Sequence, residues 1–130
     1  MIYSIELSQP AEESLAYILN DTRKIGIKII GQLKNRLPYD PLPDIDNERD
    51  LFHSEIVKSL ENEGFEVYRL KSREFYDYRV FYIVDDDVQK IYVLEIVERT
   101  NKTYDLFTPH MQRIRNLYIQ YYLSKQEGIQ

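Results

Sequence analysis

Four cationic side chains and one tyrosine in the second half of the sequence have types and spacings that suit a binding site. Arg69 and Lys71 lie two residues apart, Arg79 follows on a later segment, and Tyr104 lies five residues beyond Arg99. Cations packed side by side repel one another, so a fold gains little from grouping them unless an anion binds between them. The sequence therefore contains a candidate site for an anionic ligand.

The segments that carry these cations are predicted to be strands. Residues 65–71, 78–84 and 91–98 are rich in Val, Ile, Tyr and Phe, which suit a pleated surface. Side chains two apart on a strand share one face of the sheet, so Arg69 and Lys71 lie together. Antiparallel pairing brings Arg79 beside them, and Arg99 follows the end of the last strand. We therefore expect one open face that carries all four cations.

A purely structural interpretation stands beside this one. Several carboxylates lie near the cations in the sequence and would pair with them as ordinary ion pairs: Glu66, Glu74, Asp77 and Glu95. Spacing alone does not favour either interpretation.

The rest of the chain predicts an α+β fold. We expect a strand at residues 2–7, a helical hairpin that breaks near Asn20 and Asp21, and a short helix marked by apolar residues 51, 52, 56 and 60. The three later strands form an antiparallel meander that the N-terminal strand extends, and the helices pack on one face of the sheet. Residues 40–50 are predicted to be an exposed acidic loop insert, and residues 108–125 a C-terminal helix. We expect residues 1–130 to form a single domain.

Composition narrows the function classes. The 130 residues carry a net charge of −5, which argues against a general nucleic-acid binder. Residues 1–66 contribute −6 (13 acidic, 7 basic) and residues 67–130 contribute +1 (9 acidic, 10 basic), so a cationic site remains compatible with the acidic total. Without cysteine there is no thiolate metal site or thiol nucleophile, and the two histidines, His53 and His110, make a histidine metal centre improbable. We expect no metal, no cofactor, no membrane partner and a cytoplasmic location.

Four stretches resemble the C-terminal half of the RelE/ParE superfamily, the toxins of bacterial type II toxin–antitoxin modules. They are residues 68–72 (YRLKS), 77–85 (DYRVFYIVD), 91–100 (IYVLEIVERT) and Tyr104. The strand order and spacing agree with the family over about 45 residues, and the N-terminal strand and helical hairpin fit the same fold. The insert at residues 40–50 and the long C-terminal helix fall outside the resemblance.

The resemblance implies a ribosome-dependent mRNA endoribonuclease that needs no metal. In that family the ribose 2′-OH attacks the adjacent phosphate. The positions that match its site imply catalytic roles for Lys71, Arg79 and Tyr104 and substrate-binding roles for Arg69 and Arg99. Arg79 would stabilise the phosphate, Lys71 would stabilise charge or take a proton, and Tyr104 would stack on a base or transfer a proton. His110 is the one candidate for a histidine that some branches carry near the C-terminus.

Two other functions remain open at this point. A ParE-like inhibitor of DNA gyrase would use the fold as a binding module without a catalytic set, and the acidic charge favours such a protein target. A catalytically inactive relic would retain the fold for protein binding alone. The implied partners are a cognate antitoxin together with either the ribosome and mRNA or DNA gyrase. The apolar face of the final helix is expected to pack on the chain's own sheet.

Overall fold

A computed structural model describes residues 2–43, 52–100 and 108–128 of the chain. Five strands and four α-helices occur within these residues. In chain order they are β1 (Ser4–Leu7), α1 (Gln9–Asp21), α2 (Arg23–Asn35), β2 (Phe52–Ile56), α3 (Lys58–Glu61), β3 (Tyr68–Ser72), β4 (Tyr78–Asp85), β5 (Lys90–Glu98) and α4 (Pro109–Gly128). A single 3₁₀ turn, Arg73–Phe75, connects β3 to β4.

The strands form one five-stranded sheet in the order β1-β5-β4-β3-β2. The meander β3-β4-β5 is antiparallel, as predicted, and β1 extends it at the β5 edge. β1 and β5 are parallel neighbours. Parallel neighbours need a long connection, and here the helical hairpin and the other strands lie between them in the chain. The structure confirms the α+β class and the sheet, the N-terminal hairpin and the C-terminal helix.

The prediction of a helix from residue 51 onwards is wrong for its first half. Residues Phe52–Ile56 form the edge strand β2, and only the single turn of α3 after them is helical. Ser54 is buried opposite Leu70, on the side of the strand that faces the core. Ser54 is polar although it faces the core, so it interrupts the alternation of apolar and polar residues that marks a strand. The apolar residues that remain have the spacing expected of a helix.

Helices cover both faces of the sheet, so the expectation that they share one face is also wrong. α1 and α2 pack against alternate strand residues, among them Leu70, Val80 and Tyr82. The intervening strand residues, Phe81 and Ile83, pack with α3 and α4 instead. Side chains alternate across a strand, so these two apolar clusters lie on opposite faces of the sheet.

The helical hairpin breaks close to the position that the sequence predicts. The Ser8 hydroxyl accepts a hydrogen bond of 3.1 Å from the Ala11 N–H and caps α1. Thr22 separates the two helices. A side-chain Cβ at Gly26 would lie 2.6 Å from Leu19 Cδ2, so the close approach of the helices requires glycine there.

The helix α4 packs on the chain's own sheet, as expected. Met111 and Ile114 are fully buried, and four further apolar or aromatic residues pack beside them: Leu117, Tyr118, Tyr121 and Tyr122. Among residues 2–43, 52–100 and 108–128, no helix combines the length and the apolar character needed to cross a bilayer.

Candidate functional site

Three of the predicted site residues lie on one face of the sheet, the face on which α4 packs. Leu70 and Val80 are paired across β3 and β4 and belong to the core under α1 and α2. Their strand neighbours Arg69, Lys71 and Arg79 therefore point to the other face. Continuing the β3–β4 register by one position beyond Leu70 and Val80 places Lys71 across from Arg79. Three of the four predicted cations therefore share one face of the sheet.

The helix α4 packs over only part of this face. Its apolar residues contact Phe81, Ile83 and Leu94, and its Arg113 pairs with Glu95. Lys71 and Arg79 lie at the other end of the face, and Arg99, which follows β5, contacts the turn between β3 and β4 that lies beside them. We call these three residues the cationic end.

Arg69 is held by a carboxylate that the sequence did not indicate. The register pairs it with Glu55 on β2, and its Nη2 forms an ion pair with Glu55 Oε2. The structural interpretation thus applies to Arg69, but with a different carboxylate from the four that were considered. Glu55 was overlooked because residues 51–60 were interpreted as a helix.

Arg79 is buried, with 6% of its surface exposed. Its Nη1 donates hydrogen bonds of 2.9 Å to the carbonyl oxygens of Tyr76 and Tyr78. Its Nε is buried and has no hydrogen-bond partner. A buried donor without a partner is uncommon and is costly to the fold. Arg79 Nη1 therefore holds the β3–β4 turn, while the Nε–H donor of Arg79 remains without a hydrogen bond in the described residues.

Arg99 interacts with the same turn from the end of β5. Its Nη1 donates to the Tyr76 hydroxyl at 3.2 Å, and its guanidinium carbon lies 5.4 Å from the centre of the Tyr76 ring. Its main-chain N–H donates to the carbonyl of Asp77 at 2.6 Å. Tyr76 was not singled out in the sequence, because an isolated exposed tyrosine in a turn carries no distinctive pattern.

No carboxylate neutralises the cationic end within the described residues. In that part of the chain Lys71, Arg79 and Arg99 make no ion pair, whereas Arg69, Lys90, Arg113, Arg115 and Lys125 each make at least one. Of the carboxylates considered beforehand, Glu74 lies 3.8 Å from Lys28, and Glu95 pairs with Arg113. The structural interpretation therefore fails for three of the four predicted cations.

Glu95 is a second buried ionisable group on this face, with 3% of its surface exposed. Its Oε1 accepts a 3.1 Å hydrogen bond from Arg113 Nη2, while its Oε2 is buried without a hydrogen-bond partner. Glu95 lies opposite Phe81 and Arg79 lies opposite Val97, so Arg79 and Glu95 are diagonal neighbours across β4 and β5. Both residues thus contribute an unpaired polar atom to the same region.

The remaining predicted residues contribute less to this geometry. Tyr104 and most of the acidic insert, residues 44–50, lie outside the described residues. His110 Nε2 lies 3.3 Å from Thr108 Oγ1 at the start of α4. His53 occupies the register position opposite Lys71, a placement that required β2 to be recognised as a strand.

A contrasting cluster lies at the other end of the same face. Asp85, 4% exposed, accepts hydrogen bonds from Tyr121 (2.8 Å) and Lys125 (2.9 Å) of α4 and from the N–H of Asp87 (3.2 Å). Burial would raise the pKa of the Asp85 carboxyl, but the hydrogen bonds from Lys125 and Tyr121 outweigh it and hold the pKa below its ordinary value. We call Asp85, Tyr121 and Lys125 the anchored end.

The chemical capacity of the cationic end is to bind an anion. Lys71 supplies a compact ammonium group, and Arg99 supplies a planar fork of donors that matches phosphate oxygens. Residues 2–43, 52–100 and 108–128 contain no group of three or more His, Asp or Glu side chains that could hold a metal ion.

Comparison with known proteins identifies the fold. No family model and no curated protein matches the sequence. One similar solved structure is the toxin–antitoxin complex RelBE2 of Mycobacterium tuberculosis, which is 16% identical, covers 76% of this chain and 100% of that chain, and has a TM-score of 0.52. Another is a mutant of the E. coli toxin RelE in the free state, which is 10% identical, covers 93% of this chain and 98% of that chain, and has a TM-score of 0.50. The chain therefore has the fold of the RelE toxins.

Proposed function

We propose that this chain is the toxin component of a type II toxin–antitoxin module and that it cleaves mRNA on the ribosome without a metal. The fold similarity supports the first part, because the RelE toxins share this architecture and RelBE2 is a complex of a toxin with its antitoxin. A cognate antitoxin is therefore the proposed protein partner.

The observation that carries the proposed cleavage is the uncompensated charge of the cationic end. Lys71, Arg79 and Arg99 come from three different segments, yet none of them forms an ion pair with a carboxylate of the described residues. Like charges that converge without counter-ions destabilise a fold unless an anion binds them. A strained phosphodiester, which gains negative charge during cleavage, is such an anion.

In the proposed reaction the ribose 2′-oxygen attacks the adjacent phosphorus. A base takes the 2′-OH proton, the bond from phosphorus to the 5′-oxygen breaks, and that oxygen receives a proton. The products are a 2′,3′-cyclic phosphate and a free 5′-OH. Lys71 and Arg99 bind the phosphate oxygens in this proposal, and Tyr104 takes part in proton transfer.

The position of Arg79 modifies its proposed role. Its guanidinium is almost fully buried, and its Nη1 is already bonded to two main-chain carbonyls. We assign Arg79 a dual role, in which it shapes the turn that presents Tyr76 and adds fixed positive charge beneath the phosphate. Fixed charge that is already in position costs no reorganisation when negative charge develops above it.

The second candidate is a ParE-like inhibitor of DNA gyrase. The net charge of −5 favours it, because RNA binding depends strongly on phosphate neutralisation. The ion pair between Arg69 and Glu55, which removes one predicted cation from the site, favours it as well. An inactive relic that only binds protein would have the same two features.

The deciding experiment expresses the wild-type chain and the double variant Lys71→Ala/Arg99→Ala in a bacterial host and maps RNA 5′-ends. The wild type is expected to arrest growth and to leave 5′-OH ends within translated codons, whereas the double variant leaves none. The matched control is Lys24→Ala/Lys34→Ala, which removes two exposed lysines from α2 on the opposite face of the sheet.

The alternatives give different results in the same experiment. A gyrase inhibitor would leave cleaved DNA and an SOS response while mRNA stays intact, and an inactive relic would cause no growth arrest. Arrest with intact mRNA would therefore refute the nuclease.

A further inference from the structure

We propose that Tyr76 and Arg99 together bind one nucleotide of single-stranded RNA, with the base stacked on the Tyr76 ring and the adjacent phosphate on the Arg99 guanidinium. This inference rests on the proposed function, because it assigns a substrate contact to that site. It adds a substrate-binding residue, Tyr76, that neither the sequence pattern nor the family resemblance indicated.

The first argument is the exposure of Tyr76 in a turn that is otherwise well anchored. Tyr76 exposes 59% of its surface, while the preceding residue, Phe75, is completely buried under α1 and α2. A tyrosine side chain has a large apolar surface, and leaving it in water forgoes the stabilisation that burial would provide. The Tyr76 ring is therefore accessible to a ligand.

The second argument is that the backbone around Tyr76 is held from three sides. Arg79 Nη1 donates to the Tyr76 carbonyl, the Arg99 N–H donates to the Asp77 carbonyl, and the Ser72 hydroxyl accepts from the Glu74 N–H at 3.0 Å. Anchoring of this kind fixes the ring before a ligand arrives, which lowers the entropy cost of binding. A buried arginine that bonds the carbonyl of an exposed tyrosine is consistent with a role in presenting that ring.

The third argument is the chemistry of the pair. Arg99 lies against the ring and donates one N–H to the phenol oxygen, which orients the guanidinium. A guanidinium has five N–H donors, so donors remain for the oxygens of a phosphate. The ring and the guanidinium thus provide an aromatic surface and a cation side by side, the combination that proteins use to hold one base and its phosphate.

The test uses the full-length chain and four proteins: the wild type, Tyr76→Ala, Tyr76→Phe and Tyr17→Ala. Tyr17 is the matched control, because it is 68% exposed and lies on α1, outside the turn between β3 and β4. The probes are a fluorescein-labelled uridine hexamer and a ribose-phosphate hexamer of the same length without bases. Binding is followed by fluorescence anisotropy, and the melting temperature of each variant checks its folding.

We expect Tyr76→Ala to weaken binding of the uridine hexamer about tenfold, since the loss of one base–aromatic stack is of that order. Binding of the abasic hexamer is expected to change less than twofold, because only the phosphate contact remains there. Tyr76→Phe keeps the aromatic ring and is expected to retain the wild-type preference for the uridine hexamer over the abasic hexamer. Tyr17→Ala is expected to bind both probes as the wild type does.

Each other result overturns the inference in a recognisable way. Equal losses for both probes would mean that Tyr76 acts only by positioning Arg99. Unchanged RNA binding and unchanged mRNA cleavage by Tyr76→Ala would refute the nucleotide contact and leave the nuclease intact. A wild-type chain that neither binds RNA nor cleaves mRNA would refute the proposed function and this contact together. If Tyr76→Ala instead lost binding to the antitoxin, the Tyr76 ring would be assigned to the antitoxin interface.

Discussion

The helix α4 packs on one face of the sheet, and the two ends of this face differ in how their buried charged groups are hydrogen-bonded. Asp85 at the anchored end and Arg79 at the cationic end are similarly buried, at 4% and 6% exposure. Both Asp85 carboxylate oxygens accept hydrogen bonds, from Tyr121, Lys125 and the Asp87 N–H. Arg79 makes no ion pair with a carboxylate of the described residues, and its Nε has no hydrogen-bond partner there.

This difference separates a structural role from a functional one. A buried charge whose hydrogen bonds are all made holds elements together, and at the anchored end it fastens α4 to the end of β4. A buried charge that keeps unpaired atoms costs stability, and such groups concentrate at functional sites. We therefore expect changes at the anchored end to alter stability and changes at the cationic end to alter activity.

The largest effect is expected from Lys71→Ala. If Lys71 binds the reacting phosphate or moves a proton, its loss lowers the rate of mRNA cleavage by about 100-fold or more. Lys71 is only half-buried and makes no ion pair within the described ranges, so the melting temperature is expected to stay within about 2 °C. Primer extension on programmed ribosomes measures the rate, and Lys24→Ala is the control. A large fall in melting temperature with unchanged cleavage would reverse the assignment of the two ends.

The second effect is expected from Asp85→Asn at the anchored end. The substitution keeps the shape but removes the charge that Lys125 and Tyr121 bond to, and we expect a loss of about 1–3 kcal/mol in the free energy of unfolding. Urea unfolding measures the loss. The exposed Asp87→Asn serves as the control and should change stability by less than about 0.5 kcal/mol. Cleavage of mRNA should remain at the wild-type rate, and a defect in cleavage alone would contradict the comparison.

The pH dependence of stability sharpens the same assignment. The pKa of Asp85 in the folded chain lies below its ordinary value of 3.8, so its ionised form stabilises the fold. This contribution is complete above the unfolded-state pKa and is lost as the pH falls from there through the lower folded-state pKa. The stability difference between wild type and Asp85→Asn should therefore be constant from pH 7 to about 5 and shrink below about pH 4. A difference that grows on acidification would show that the Asp85 carboxylate does not stabilise the fold.

The sequence predicted most of the fold because its local signals agree with the tertiary structure. Ser8 caps α1, Thr22 separates the hairpin helices, and the later strands are rich in β-branched and aromatic residues. β2 was missed because Ser54 interrupts the apolar alternation of a short strand. The sequence predicted that α4 packs on the sheet but not that it packs on the face opposite α1 and α2. A periodic apolar stripe predicts a packed helix without indicating which face of the sheet it covers.

For the candidate site, the alternation of side chains along a strand predicted which residues share a face of the sheet, and nothing more. Alternation placed Arg69, Lys71 and Arg79 on one face, and the structure confirms that placement. Alternation does not indicate how exposed a side chain is to solvent, so the burial of Arg79 was not predicted. Contacts that span the sequence were equally inaccessible. Glu55 reaches Arg69 from a strand that was interpreted as a helix, and Tyr76 meets Arg99 from a turn 23 residues away.

The smallest effect is expected from Glu55→Gln, which tests whether Arg69 belongs to the cationic end when its counter-ion is weakened. The pair is partly exposed, so the stability should change by less than about 1 kcal/mol. Release of Arg69 should allow one more phosphate contact, which steepens the salt dependence of uridine-hexamer binding by about one unit of log K against log salt. The control is Glu61→Gln, an exposed residue of α3 that gives the same net charge. An equal gain in both variants would attribute the effect to overall charge, whereas a gain confined to Glu55→Gln would show that Glu55 restrains Arg69 from acting with Lys71.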